Sequence, residues 1–290
     1  MHLKDLYASR PVTASLEFFP PRTPETLAKF VANLPAFKAL HPPFCSLTMG
    51  AGGSGTAEVT VALVIRLRKE FGLEAMCHFT CIGKSRNEVA RLLDALEGGG
   101  VENIIALRGD APKGETEWRP HPEGFKYSIE LVREAKARGG FSVAVAGFPE
   151  THPEASSPDA DLDYLKQKVE AGADAVITQF FFDNADFLKF RDRAVAAGIR
   201  VPIVAGILPI RTAGWVRKFA PLCKARVPVD LEAKLALVEK DDEACRAMGI
   251  EYATAQCRGL VAAGVKAFHF YSLNDPVPVT AIFRSLGFGA

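Results

Sequence analysis

Between residues 13 and 271 short apolar runs alternate with longer amphipathic stretches, and no other feature constrains the fold as tightly. The apolar runs fall at 13–19, 43–48, 74–80, 102–107, 142–147, 174–180, 201–206 and 266–271. The helix-like stretches lie at about 24–40, 57–71, 85–98, 125–138, 159–171 and 184–197, and between about 212 and 263. Strands that are apolar on both faces need helices above and below them, and parallel strands need crossover helices to connect them. Eight such units predict an α/β fold, a closed (β/α)8 barrel of the TIM type rather than an open sheet. The expected organisation is one catalytic barrel domain over 1–290. Residues 1–12 are read as a short arm, and about 221–245 as an extra helical segment before the last strand.

In such a barrel the chemistry sits at the carboxyl ends of the strands, so those ends are read together. Ile104-Ile105-Ala106-Leu107 runs into Arg108-Gly109-Asp110, and this is either the edge of a site or a solvated turn bent at Gly109. In Leu16-Glu17-Phe18, period-two alternation sends Leu16 and Phe18 to the helices and Glu17 into the barrel. A carboxyl group there is costly unless paired or protonated. Glu17 is therefore either a proton donor with a raised pKa or the partner of a cation such as Arg108. Thr48, His78, Gln179 and the 271–274 segment end other strands. Taken singly, His78 fits a structural histidine and Gln179 a capping side chain. Phe180-Phe181-Phe182 offers an aromatic surface, part of which must pack the outer helices.

Two motifs point elsewhere. Gly50-Ala51-Gly52-Gly53-Ser54-Gly55 matches the dinucleotide-binding G-x-G-x-x-G, but the acid expected at the end of the next strand is missing, because Glu74 begins that strand and His78-Phe79-Thr80 ends it. A flexible loop at the barrel mouth fits better. In Cys77-His78-Phe79-Thr80-Cys81 the cysteines face away from His78, so no metal is expected. The six cysteines have no disulfide-framework spacing and are read as reduced. With 35 Lys+Arg against 34 Asp+Glu, the chain has no overall attraction for nucleic acid or an anionic membrane. No apolar run approaches the ~20 residues of a membrane span, and no signal peptide is read at the start. A cytoplasmic enzyme acting on small molecules is expected.

Nine motifs, in this order, resemble the methylenetetrahydrofolate reductases: LEFFPPRT, SLTMGAGG, CHFTCIG, NIIALRGD, GFKYSIELV, FPETHPEA, ITQFFFD, GILPI and KAFHFYSLN. The resemblance spans nearly the whole chain and implies the catalytic barrel of the bacterial single-domain type. It implies an FAD-dependent oxidoreductase that takes electrons from NADH or NADPH and converts 5,10-methylenetetrahydrofolate to 5-methyltetrahydrofolate, in either direction. Homo-oligomer formation is expected with it. By resemblance Glu17 is the general acid, and Asp110 lies near both flavin and folate. Flavin contacts fall on Thr48, His78, Arg108, Gly109, Asp110, Tyr127, Ser128, Phe148, His152, Ala155, Asp161 and Lys168. Gln179 and Phe219 match positions that hold folate or nicotinamide.

Three positions depart from the family pattern. Phe148 stands for a tyrosine, Trp215 for a glutamine and Asp275 for an arginine. The last two carry an expectation that the folate's glutamate tail loses a cation while its ring gains a stacking face. Competing readings are a flavin-free reductase, a pterin-dependent one-carbon transferase on the same barrel, and a non-catalytic flavin or folate binding module.

Overall fold

The computed structural model describes residues 1–8, 10–49, 57–110 and 119–289. The eight strands are β1 (Thr13–Phe18), β2 (Cys45–Leu47), β3 (Ala75–Thr80), β4 (Asn103–Leu107), β5 (Ser142–Gly147), β6 (Ala175–Thr178), β7 (Ile203–Ile207) and β8 (Ala267–Tyr271). All pairings are parallel, and β8 returns to β1, closing the (β/α)8 TIM barrel in sequence order. The outer helices are α2 (Pro24–Lys38), α3 (Ala57–Lys69), α4 (Arg86–Gly98), α5 (Ser128–Ala137), α6 (Pro158–Glu170), α7 (Asn184–Ala196) and α11 (Pro276–Leu286). Between β7 and β8 the chain forms α8 (Ala213–Phe219), a 3-10 turn (Pro221–Cys223), α9 (Val229–Leu237) and α10 (Asp242–Ala262). Closure excludes the open sheet that the glycine motif alone would suggest. That motif, at 50–55, lies outside the described residues.

Helix starts follow local chemistry. Thr23, Ser85, Ser157, Asp183, Thr212, Asp241 and Asp275 each accept a backbone N–H of the first turn, and proline occupies the first turn of α2, α6 and α11. The 1–12 arm differs from expectation, because Leu3–Ala8 forms a six-residue helix, α1. Leu3, Leu6 and Tyr7 fill the lower end of the barrel against Phe44, Met76, Ile105, Ala144, Ile177 and Val204. Leu3 N donates to Ser142 Oγ at 3.2 Å. Burying each leucine is worth about 2 kcal/mol, which outweighs the poor intrinsic stability of so short a helix.

The interior thus has two zones. Below, α1 and the small and apolar inward residues make a plug. Above it the inward positions of β1, β2, β3 and β8 turn polar, and the register aligns them: Ser15 pairs with His269, and Glu17 with both Ser46 and Tyr271. Outward residues alternate with these as expected, with Phe18 meeting Phe30 and Phe37 of α2 at ring-centroid distances of 5.3 and 4.8 Å.

Candidate active site

Glu17 lies at the end of β1, only 4% exposed, and its backbone is fixed by the chain after β8. Ser272 Oγ donates to Glu17 O at 2.5 Å, and the Asn274 side chain bonds both Phe19 N and Phe19 O. Leu273 and Asn274 adopt left-handed backbone, with φ of 51° and 57°, which two non-glycine residues accept only where the surroundings hold them. The carboxyl group does not meet Arg108. Its Oε2 stands 3.3 Å from His78 Nε2 and 3.5 Å from His269 Nε2, while Arg108 makes a two-pronged pair with Glu154 at 2.5 and 2.7 Å. The structural reading of Glu17 as Arg108's partner is therefore overturned.

Burial dominates the electrostatics. It raises the Glu17 carboxyl to about 7, against the opposing pull of His78. It lowers His78 to about 4 and His269 to about 3. Near neutrality the group is therefore partly protonated and lies beside two uncharged imidazoles, so these contacts are not pairs of full charges. Hydroxyl directions assign the tautomers. Ser15 Oγ donates to Phe268 O at 3.1 Å, so at 2.7 Å it accepts from His269 Nδ1–H, which leaves His269 Nε2 as an acceptor. Ser46 Oγ, 3.1 Å from that Nε2, donates to it and accepts from His78 Nε2–H at 3.0 Å. The result is a continuous chain of exchangeable protons beneath the acid. Glu17, His78 and His269 also present three potential metal ligands within 4.8 Å of one another. Hydrogen bonding through Ser46 already accounts for that closeness.

Ser15, Ser46 and His269 are not among the site residues read from the sequence. The signal was there: polar residues at inward positions of otherwise apolar strands.

The rest of the predicted set divides into two walls. On the β2–β6 side, Thr48 is half-buried, Gly109 has φ +95°, and Asp110 is exposed at the end of β4. The loop after β5 packs Phe148 edge-on to His152 at 4.6 Å, and His152 N donates to Asp161 Oδ2 at 3.0 Å. Ala155 lies in the same loop, Tyr127 caps α5, and Ser128 is buried in its first turn. Lys168 is buried at 7% exposure, and among the described residues its one hydrogen bond runs from Nζ to Ala146 O at 2.8 Å. Burial lowers it to about 8, against Asp161.

On the opposite side Trp215 stacks on Phe219 at 4.4 Å and leans toward Phe180, which meets Tyr271 edge-on at 6.0 Å. Of the phenylalanine triplet, Phe180 and Phe182 join this wall, whereas Phe181 stacks on Phe187 of α7. Gln179 is half-buried, its Oε1 accepting from Phe180 N. Asp275 is the N-cap of α11 and lies near two arginines rather than standing as an isolated repulsive charge.

Against known families, residues 2–287 match the model of the methylenetetrahydrofolate reductase family. The chain belongs to that family. It is 40% identical over 276 residues to the 5,10-methylenetetrahydrofolate reductase of Salmonella typhimurium, covering 95% of this chain and 91% of that one. It is 36% identical over 284 residues to methylenetetrahydrofolate reductase (NADH) 1 of Arabidopsis thaliana, covering 94% of this chain. The chain spans about half the length, 48%, of that plant relative. Among solved structures, a Clostridium thermocellum protein described as binding two copies of 5-methyl-5,6,7,8-tetrahydrofolic acid superposes with a TM-score of 0.70, covering 98% of this chain and 97% of that chain. Its 11% identity makes that a likeness of fold. Among the described residues of this reductase-family chain, no helix is long and apolar enough to cross a membrane.

Proposed function

We propose that the protein reduces 5,10-methylenetetrahydrofolate to 5-methyltetrahydrofolate, with NADH or NADPH as electron donor and FAD as the bound carrier. The observation that carries the reading is Glu17: a buried carboxyl group raised to about 7, within 3.3 and 3.5 Å of two neutral histidines near the carboxyl ends of the barrel strands. Opening the five-membered ring of the folate needs a proton at a ring nitrogen. A carboxylic acid that still holds its proton near neutrality is matched to that task. The adjoining network of Ser46, His78, His269 and Ser15 surrounds the acid with polar groups, which lowers the cost of ionising it there. Asp110, exposed at the cleft edge, is assigned to stabilise the iminium cation that ring opening creates.

The donor set of the polar wall fits an anionic dinucleotide flavin. Lys168 is a buried ammonium with a single acceptor among the described residues, which leaves N–H groups to be met. Arg108, Thr48, Tyr127, Ser128 and His152 add a cation and neutral donors, and Phe148 offers a ring face where the tyrosine hydroxyl is lost. Arg108 is held by both oxygens of Glu154, so an anionic cofactor would compete with Glu154 for it. Gly109, Ala155 and Asp161 complete the wall as backbone and acceptor positions. When bound, the flavin supplies the capacity to accept hydride from the nicotinamide and pass it to the folate. Gln179, Trp215 and Phe219 on the other wall orient whichever substrate occupies the cleft.

The test is to purify the protein, record its visible spectrum, and follow formation of 5-methyltetrahydrofolate from 5,10-methylenetetrahydrofolate and NADH or NADPH. A yellow protein that makes the product supports the reading. A colourless protein that makes it indicates a flavin-free reductase, and one that transfers a one-carbon unit without consuming nicotinamide indicates a transferase.

A further inference from the structure

Beyond the aromatic wall two arginines approach one carboxylate. Arg211, in the loop after β7, brings Nε to 3.8 Å from Asp275 Oδ2, and Arg246, in the first turns of α10, brings Nη2 to 4.0 Å from the same oxygen. Backbone packing puts them side by side. At Gly249, three residues on from Arg246, a Cβ would stand 2.2 Å from Ile210 O, so α10 lies directly against the residue preceding Arg211.

Asp275 is only partly available to them. Its Oδ1 accepts from Val277 N at 3.1 Å, capping α11, and the positive end of that helix draws on the same charge. Among the described residues no other carboxylate lies within ion-pair distance of either arginine, and Arg246 Nε is buried without a hydrogen-bond partner. Other arginines nearby are fully matched: Arg217 sits between Glu232 and Glu239, and Arg226 between Asp183 and Asp186. Two cations on one committed acid leave a net positive charge with donors to spare, about 40% exposed at the mouth (39% for Arg211 and 41% for Arg246).

Their position relative to the acid is set by the chain. Asp275 follows Ser272, which is bonded to Glu17 O, and Arg211 precedes α8, which carries Trp215. A reduced folate is a pterin, a benzoyl ring and a glutamate bearing two carboxylates, with one more carboxylate for each added γ-glutamyl residue. With the pterin over Glu17 and the ring along Tyr271, Phe180 and Trp215, its acidic end leaves the cleft on this side.

We propose that Arg211 and Arg246 bind the glutamate tail of the folate substrate, and that Asp275 orients the two guanidinium groups and is displaced from them by the tail's carboxylates. This rests on the folate reading. The acid next to the pair then weakens the anchor rather than supplying it, so removing its charge strengthens binding while removing either cation weakens it. The pyrophosphate of a nicotinamide dinucleotide shares the ligand chemistry, and the experiment separates the two.

Binding of 5-methyltetrahydrofolate as the mono- and pentaglutamate, and of NADH, is measured by calorimetry on the full chain and on Arg211→Ala, Arg246→Ala and Asp275→Asn. Each arginine variant is expected to weaken the monoglutamate about three- to tenfold and the pentaglutamate more, leaving NADH unchanged. Asp275→Asn keeps a capping side chain and is expected to tighten the pentaglutamate by about the same factor. Misfolding cannot produce that gain. Arginine variants that bind both folates like the wild type, or an Asp275→Asn that binds the pentaglutamate more weakly, would overturn the proposal, as would a loss confined to NADH. A wild-type chain that binds neither folate overturns the folate reading itself.

Discussion

Replacing Glu17 with glutamine should make the protein more stable at pH 8 while disabling it. Folding carries this carboxyl from an ordinary 4.5 to about 7, chiefly by burial. The sign follows directly. A carboxyl whose folded pKa is raised leaves stability undiminished below about 4.5, and the penalty grows as pH rises until the folded pKa is passed. At about 1.36 kcal/mol per pH unit, the displacement is worth roughly 3 kcal/mol above pH 7. Glutamine is isosteric and uncharged, so it avoids the penalty without opening a cavity. The assay is urea unfolding of both proteins at pH 5 and pH 8. The variant should gain roughly 2–3 kcal/mol over the wild type at pH 8 and little at pH 5. A stability difference that is the same at both pH values would show that the surroundings of Glu17 do not favour its protonated form.

Three further outcomes are expected. Gly109→Ala should cost about 1–3 kcal/mol of stability by thermal or urea unfolding, because φ is +95° there and the new Cβ would stand 2.5 Å from Ile82 Cγ2; a cost near zero would show that the turn after β4 relaxes freely. Asp110→Asn should slow turnover of the folate by roughly a hundredfold or more in rapid-mixing experiments, with little change in stability because the side chain is exposed; unchanged turnover removes Asp110 from the chemistry. Glu150, raised to about 7 mainly by burial and by Asp186, accepts from Arg226 N at 2.5 Å and ties the loop after β5 to the chain beyond Cys223. Its contribution to stability should fade as pH rises through about 7, so in melting curves at pH 6 and 8 Glu150→Gln should fall less than the wild type, and an identical fall would contradict this.

How far the sequence could be read depended on the kind of signal. The strand–helix alternation was legible because period two and period 3.6 differ so clearly, and Glu17 could be placed facing inward from Leu16 and Phe18 alone. Helix and strand limits shifted by one to three residues: β7 begins at Ile203, since Pro202 has no N–H for the ladder, and α5 begins at Ser128. Helix α1 escaped because six residues carry too little intrinsic helicity to register. What stabilises it is the barrel floor, which is assembled from residues far apart in the chain. His269 escaped for a similar reason. Its importance comes from pairing across β8 and β1 with Ser15, a neighbour 254 positions away in sequence. For Asp275 the comparison with a family pattern left its local task unread. Asp-Pro at a helix start is an N-cap signal readable without any structure, and it would have shown that the side chain had a local task.

Glu17 is proposed to deliver the proton for folate reduction and to take no part in accepting electrons from the nicotinamide. Anaerobic stopped-flow of the flavin-loaded protein separates the two half-reactions. For Glu17→Gln the account predicts flavin bleaching by NADH at close to the wild-type rate, and no return of flavin absorbance when 5,10-methylenetetrahydrofolate is added. Equal loss of both half-reactions, or colour returning at the wild-type rate, would contradict it.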